Sequence, residues 1–194
     1  MKKLLLSSLA LLCLTALLLL SLSACGYKRT NLPTDTVCIV VKGYGTITVE
    51  LYPEEAPITV ANFKALVAEG FYTNKTFHRV IEGFMIQGGA PTASDEAHDS
   101  IKGEFSANGV DNKVKHTRGA ISMARTNVYN SASTQFFIVH ETEGAAHLDG
   151  KYAAFGMVVD GMDVVDKIAA VATNPSNDAP LRNVIISEIY FVEK

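Results

Sequence analysis

The stretch that most limits the folds open to this chain is Phe77-His78-Arg79-Val80-Ile81-Glu82-Gly83-Phe84-Met85-Ile86-Gln87-Gly88-Gly89. It reads as two strand-length runs joined at Glu82-Gly83. Strand side chains alternate between faces, which predicts Phe77, Arg79 and Ile81 on one side of the first run. In the second run the same rule puts Met85 and Gln87 together. Phe84 breaks the alternation and joins them only through a bend at Gly83. His78 is expected to turn to the face opposite Arg79, in a structural hydrogen bond. A permanent cation, a polarizable apolar side chain and a neutral amide then meet on one surface, which suits a greasy ligand carrying a carbonyl. The plainer reading of the pattern alone is a half-buried hairpin with one exposed Arg.

The remainder of the chain supplies more strands of the same length. Residues 36–42 and 46–52 form a hairpin about Gly43-Tyr44-Gly45, with Ile47, Val49 and Leu51 alternating against Thr46, Thr48 and Glu50. Pro57 is placed for the first turn of a helix whose Val60, Phe63, Leu66 and Val67 follow helical spacing and which Gly70 stops. Residues 91–112 form a long irregular excursion with one short element at 101–105. Its Asp95, Glu96, His98 and Asp99 match no standard metal-site spacing and read as a solvated acidic loop. Strands follow at 120–124 and at 134–140, the latter with Gln135 and Phe137 on one face and Phe136 and Ile138 on the other. Leu148-Asp149-Gly150-Lys151 is a turn, and residues 153–159 are a strand with a kink at Gly156. Gly161 opens a second helix, and 184–192 is a last alternating strand. About eight strands and two helices point to a mainly β fold: a closed antiparallel β-barrel capped by two α-helices, since closure removes exposed edges.

Residues 1–24 stand apart. Lys2 and Lys3 precede an almost wholly apolar run, and Leu22-Ser23-Ala24-Cys25 is similar to a bacterial lipobox, in which cleavage leaves a lipidated Cys. A transmembrane anchor and a plain secretory signal are the competing readings. The small-small-Cys ending favours a lipoprotein signal at 1–24, lipidated Cys25 with a polar tether at 25–35, and one domain at 36–194. Of 17 basic and 20 acidic residues, Lys2 and Lys3 leave with the signal, so the mature chain has 15 against 20, near −5. That balance argues against a nucleic-acid surface. With Cys13 in the signal and Cys25 lipidated, Cys38 is the one free thiol. It sits in an apolar run and reads as a buried core residue, without a disulfide partner.

The blocks 77–81 and 83–89, followed by Ser122-Met123-Ala124, Ser133-Thr134-Gln135-Phe136-Phe137-Ile138, Leu148-Asp149-Gly150-Lys151 and Phe155-Gly156, resemble the cyclophilins in order and spacing. Pro57, Thr59, Asn62, Phe63 and Leu66 resemble the first helix of that family. The resemblance covers roughly residues 37–192 and is nearest to compact bacterial members. It implies a closed eight-stranded antiparallel barrel with two helices and peptidyl-prolyl cis/trans isomerase activity. It implies Arg79 as the catalytic residue, with Phe84, Met85, Phe137 and Leu148 lining a proline pocket. Gln87 would hydrogen-bond the substrate backbone, with Gln135 alongside, and Ala124 and Arg125 would offer backbone contacts to the residues preceding the proline. Neither metal nor cofactor is implied. His147 stands where the family often has the Trp on which cyclosporin-type inhibitors lean, so the resemblance leaves cyclosporin sensitivity open. Tyr152 replaces a common His at the pocket edge, Arg125 replaces a common Asn, and residues 143–146 are inserted.

Together these features predict a monomeric, lipid-anchored, extracytoplasmic isomerase acting on proline-containing segments of exported or surface proteins. A non-catalytic binding module or holdase that uses the same groove is the alternative from a different class.

Overall fold

The computed structural model describes residues 26–193; the expected signal at 1–24 and Cys25 lie outside them. Nine strands are present among the described residues: β1 (Lys28–Arg29), β2 (Thr36–Val41), β3 (Gly45–Leu51), β4 (Thr76–Ile81), β5 (Met85–Gly88), β6 (Ala120–Met123), β7 (Phe136–Val139), β8 (Ala154–Asp160) and β9 (Val184–Glu193). Eight close into an antiparallel barrel in the order β9-β2-β3-β8-β6-β7-β5-β4, with Thr76 and Phe77 of β4 pairing back to Ile185 and Val184 of β9. β1 is an addition outside the closed circle, paired to the end of β9. The mainly β barrel matches the expectation from the sequence.

Two helices pack against the barrel as expected. α1 (Pro57–Ala68) buries Val60, Phe63, Leu66 and Val67, has Pro57 in its first turn, and ends before Gly70, whose φ is 70°. Its amino terminus is capped from a distance. The buried Glu104 carboxylate accepts from Ile58 and Thr59 backbone N–H groups at 3.1 and 2.7 Å, which satisfies orphan donors and suits the helix dipole. α3 (Met162–Ala169) buries Val164, Val165 and Ile168. The count of two helices needs correction: a one-turn helix, α2 (Thr142–Ala145), runs into a 3₁₀ turn at Ala146–Leu148. One turn is too short to leave a periodic signature.

The core inside the barrel centres on Phe63, whose ring lies 5.2 Å from Tyr72, 5.7 Å from Phe136 and 5.2 Å from Phe155. β7 shows why this wall is covered twice. Phe136 and Ile138 enter the barrel core, while Phe137 and Val139 enter a second apolar cluster on its outer side with Met85, Ala120, Ala145 and Leu148. That outer cluster is the base of the site described below.

Further expectations change. In place of one short element at 101–105, the excursion at 91–112 holds a bridge from Ile101 to Ala132 and a 3₁₀ turn at Ser106–Asn108. Its acidic part is not simply solvated. Lys75, nearly buried, donates to both Asp95 oxygens at 2.8 and 2.7 Å, and with the Thr92 contacts this holds the Asp95 carboxyl at about 2. The 25–35 tether is docked over the residues described: Thr30 N–H donates to Phe191, and Thr34 Oγ1 to Val192, at 3.0 and 2.7 Å. Cys38 is buried, in a small cluster with Tyr190 and Val192 rather than in the main core, and burial pushes its thiol upward.

Gly156 is required by β3. A Cβ there would collide with the Glu50 carbonyl and crowd Leu51 Cα at 3.2 Å. Gly156→Ala is therefore expected to cost about 2–3 kcal/mol of stability, the scale of an overpacked interior, read as a lower urea midpoint with unchanged m.

Candidate active site

The site begins with a bulge. β4 and β5 pair Phe77 with Gly88 and then Arg79 with Gln87, so His78 is the extra residue. The bulge reverses the alternation predicted for β4. Phe77 and Val80 both enter the barrel core, whereas Ile81 packs on the outer cluster and Arg79 faces the pocket. Phe77 therefore does not share a side with Arg79 and Ile81. His78 also departs from expectation. Instead of turning away, it lies on the outer side with Nε2 3.5 Å from Gln87 Nε2, and burial lowers the pKa of its ring. Regular alternation fails here because a bulged pair sets two residues against one.

Beyond the bulge, the wall follows the predicted pattern. Gly83, with φ of 77°, turns the chain so that Phe84 reaches the outer face, and Met85 and Gln87 of β5 project beside it. The turn is clamped from β7: His140 N–H donates to the Phe84 carbonyl at 2.8 Å, and Gly83 N–H donates to His140 Nδ1 at 3.0 Å. α2 presses on the same turn, where a Cβ on Gly144 would strike the Gly83 carbonyl. Phe137 supplies the floor, Leu148 and Tyr152 one rim, and Ala124 and Arg125 another, around a pocket of about 280 Å³. Gln135 lines the adjoining depression and accepts from Gln87 Nε2 at 3.0 Å. All ten residues that the resemblance assigned to the site are thus neighbours. His147 lies against Phe84, ring centroids 5.7 Å apart.

The charge is held at the mouth. Arg79, with a side chain 40% exposed, donates through Nε to Asp178 Oδ2 at 3.2 Å. Asp178 also accepts from Val80 N–H through its backbone carbonyl at 2.9 Å and adopts φ of 59°, unusual for a residue with a side chain. One acidic residue thus fastens a distant loop to β4 and orients the guanidinium, leaving both Nη groups without a hydrogen-bond partner among the described residues. Sequence reasoning missed Asp178 because it lies 99 positions from Arg79 in a loop without periodicity.

A second missed feature sits behind the floor. His116 Nδ1 lies 3.1 Å from Asp149 Oδ1, and His116 Nε2 lies 3.0 Å from Ser122 Oγ. These distances imitate a hydrolytic triad, but Ser122 is fully buried at 0% exposure, out of reach of the pocket. The chain of bonds is structural: the carboxylate fixes the proton on Nδ1, so Nε2 accepts from the Ser122 hydroxyl. Burial lowers the His116 pKa. Burial alone would raise Asp149, but the His116 backbone and ring bonds, with Lys115 nearby, bring it below its ordinary value. The network pins the 148–151 turn to β6 beneath Phe137, whose ring stacks on His116 at 6.0 Å.

Comparison with known proteins places this arrangement. A family model described as cyclophilin type peptidyl-prolyl cis-trans isomerase/CLD matches residues 36–191. Peptidyl-prolyl cis-trans isomerase B of Escherichia coli (strain K12) is 43% identical over 158 residues, covering 75% of this chain and 93% of the relative. A peptidyl-prolyl cis-trans isomerase of Acinetobacter baylyi is 47% identical over 146 residues, covering 72% and 75%. Among solved structures, a Cryptosporidium parvum cyclophilin type isomerase determined in the presence of the dipeptide Ala-Pro superposes with a TM-score of 0.72 at 30% identity. That match covers 82% of this chain and 99% of the other.

The network gives a pH dependence whose sign follows from linkage. The folded pKa of His116, and of His78, lies below the ordinary 6.5, so the unfolded chain binds the proton more readily. Their contribution is complete above that value and is lost as pH falls toward the folded pKa; the Asp149 contribution is lost only below about 3.8. Urea unfolding from about pH 7 to about pH 5 should show falling stability, by at most about 1.4 kcal/mol per pH unit for each imidazole. His116→Gln should be less stable near neutrality and have a shallower slope. An unchanged slope in that variant would assign the effect to other groups.

Proposed function

The chain belongs to the cyclophilin-type peptidyl-prolyl cis-trans isomerases, and from that premise we propose that Arg79 drives the isomerisation by donating to the prolyl nitrogen. The observation that carries this mechanism is the orientation of Arg79: its Nε is tied to Asp178 while its Nη groups are left at an apolar pocket. Rotation about an Xaa–Pro bond is slow because resonance gives the carbon–nitrogen bond partial double character, with a barrier of about 18–20 kcal/mol. Twisting the bond pyramidalises the nitrogen and exposes its lone pair. A donor aimed at that lone pair stabilises the twisted state more than either planar state, which is the condition for catalysis. Arg remains protonated throughout and needs no proton transfer.

The other side chains hold the substrate in this account. Met85, Phe137 and Leu148 form an apolar floor for the proline ring, and Phe84 and Tyr152 close its sides. Phe137 and Tyr152 meet edge to face with centroids 6.1 Å apart. The Gln87 amide group donates to Gln135, which leaves its own carbonyl oxygen as an acceptor for the substrate backbone. Backbone groups of Ala124 and Arg125 meet the residues before the proline.

The apolar run at 1–24 ending in Leu22-Ser23-Ala24-Cys25 supports export and lipidation at Cys25, and hence action on exported or surface proteins at a membrane. β1 leaves from β9, which lies across the barrel circuit from β6, so an anchor at Cys25 would turn the β5–β7–β6 pocket away from the lipid.

Cis/trans exchange in an Ala-Pro-Phe peptide, followed by NMR, tests the mechanism. The wild-type protein should accelerate exchange, and Arg79→Ala should lose about a hundredfold or more of that acceleration, the scale of one electrostatic donor. Asp178→Ala, which retains the cation but frees it, should lose less, about tenfold, mainly in kcat. Acceleration unchanged in Arg79→Ala would sink the mechanism, whereas peptide binding without acceleration by wild type would favour the holdase. For the anchor, radiolabelled palmitate should enter the wild-type chain in a bacterial host and be absent from Cys25→Ser, which should also leave the membrane fraction. Label retained in that variant would remove Cys25 from the account.

A further inference from the structure

Beside the proline pocket lies a polar depression of about 150 Å³, whose walls include Gln87, Arg125, Thr126, Ser131, Ser133 and Gln135. Arg125 borders both. Its guanidinium is immobilised. Nε and Nη2 donate to the Lys151 carbonyl at 3.0 and 2.8 Å, and Nη1 donates to the Thr126 carbonyl at 2.7 Å. Its central carbon lies 4.4 Å from the Tyr152 ring centroid, 5.1 Å from Tyr129 and 5.2 Å from Phe105. Planar stacking and carbonyl contacts fix the group before any ligand arrives.

None of these partners neutralises the charge. Arg29, Arg79 and Arg118 each hold a carboxylate, from Glu188, Asp178 and Asp166 respectively. Among the described residues, Arg125 is held by carbonyl oxygens and ring faces alone, and no Asp or Glu lines either depression. Of the five N–H groups of a guanidinium, those bonds occupy one on Nε and one on each Nη, leaving one N–H on each Nη. The exposed Lys151 adds a second cation close by, its Nζ 3.2 Å from the His147 carbonyl. A fixed, unneutralised cation with spare donors at the edge of a substrate groove selects for a carboxylate.

We propose that Arg125 makes this isomerase favour an acidic side chain, Asp or Glu, on one of the two residues preceding the substrate proline. The inference rests on the substrate orientation given above, in which those residues pass Ala124 and Arg125. The carboxylate enters the polar depression, pairs with the free Nη groups, and leaves the proline ring and Arg79 undisturbed. A purely structural role for Arg125, clamping the 124–131 loop to the 149–152 turn, predicts instead a loss that is the same for every substrate.

The test compares the full chain on two peptide sets, Xaa-Ala-Pro-Phe and Ala-Xaa-Pro-Phe, with Glu, Gln or Lys at Xaa, by NMR exchange at low salt. At one of the two positions Glu should exceed Gln in kcat/KM by about three- to fivefold, the range of a partly exposed ion pair, with Lys below Gln. High salt should bring the ratio toward one. Arg125→Gln should abolish the Glu over Gln ratio, and Arg125→Lys should retain part of it. The Gln peptide serves as each variant's own reference, so a uniform loss of activity leaves the ratio readable. The wild-type ratio and its salt dependence need no variant. Equal rates on Glu and Gln peptides at both positions, with all peptides accelerated, would overturn this proposal and leave the isomerase mechanism standing. A preference that survives in Arg125→Gln would overturn it as well. Absence of acceleration on every peptide would overturn both.

Discussion

The wall formed by β5, β7 and β6 must be covered on both faces, and the site follows from that requirement. Phe136 and Ile138 fill the barrel, while Phe137 and Val139 stand on its outer side with Met85. An outer apolar face left in water would forgo about 25 cal/mol for each Å² of burial, so something must lie over it. Part of the cover is protein: Leu148, Ala145 and the one-turn α2. The part left open is the pocket, and a proline ring is an apolar cover of suitable size.

That cover is attached by polar chemistry in a buried place. His116 links the Asp149 turn to Ser122 on β6, and its ring supports Phe137 from below. Three groups that resemble a nucleophilic apparatus act here as a brace, because the hydroxyl has no route to solvent or substrate. Distances alone do not define a nucleophile; access does. Arg79, by contrast, stands at the mouth of the pocket and is oriented by Asp178.

The two arginines at the groove differ in a way that fits different tasks. Arg79 has a carboxylate on Nε, which aims the guanidinium without filling its terminal donors. Arg125 has no carboxylate and is held by Lys151, Thr126 and aromatic faces, so its charge is directed outward. In the mechanism and the specificity proposed above, one cation would meet a transient lone pair and the other a formal negative charge.

The sequence by itself determined the barrel, the positions of its eight strands and two longer helices to within a residue or two, and, through its resemblance to the cyclophilins, the residues that gather at the pocket. Period-two alternation, glycine at turns and motif spacing are local signals, and Met85, Gln87, Gln135 and Phe137 obey them. Local rules failed where tertiary pairing took over. The His78 bulge shifted the faces of β4 because β5 sets Gln87 against Arg79, where regular pairing from Phe77 would set it against His78. The docked 26–35 segment and the Lys75–Asp95 pair likewise depend on surfaces that exist only after the barrel closes. Asp178 and His116 belong to the same class. Their partners lie 99 and 33 positions away, and a hydrogen bond over such a separation leaves no periodic mark on the chain. The types of group at the site were written locally; their aim, their access to solvent and their charge balance were decided by which distant segments folded against them.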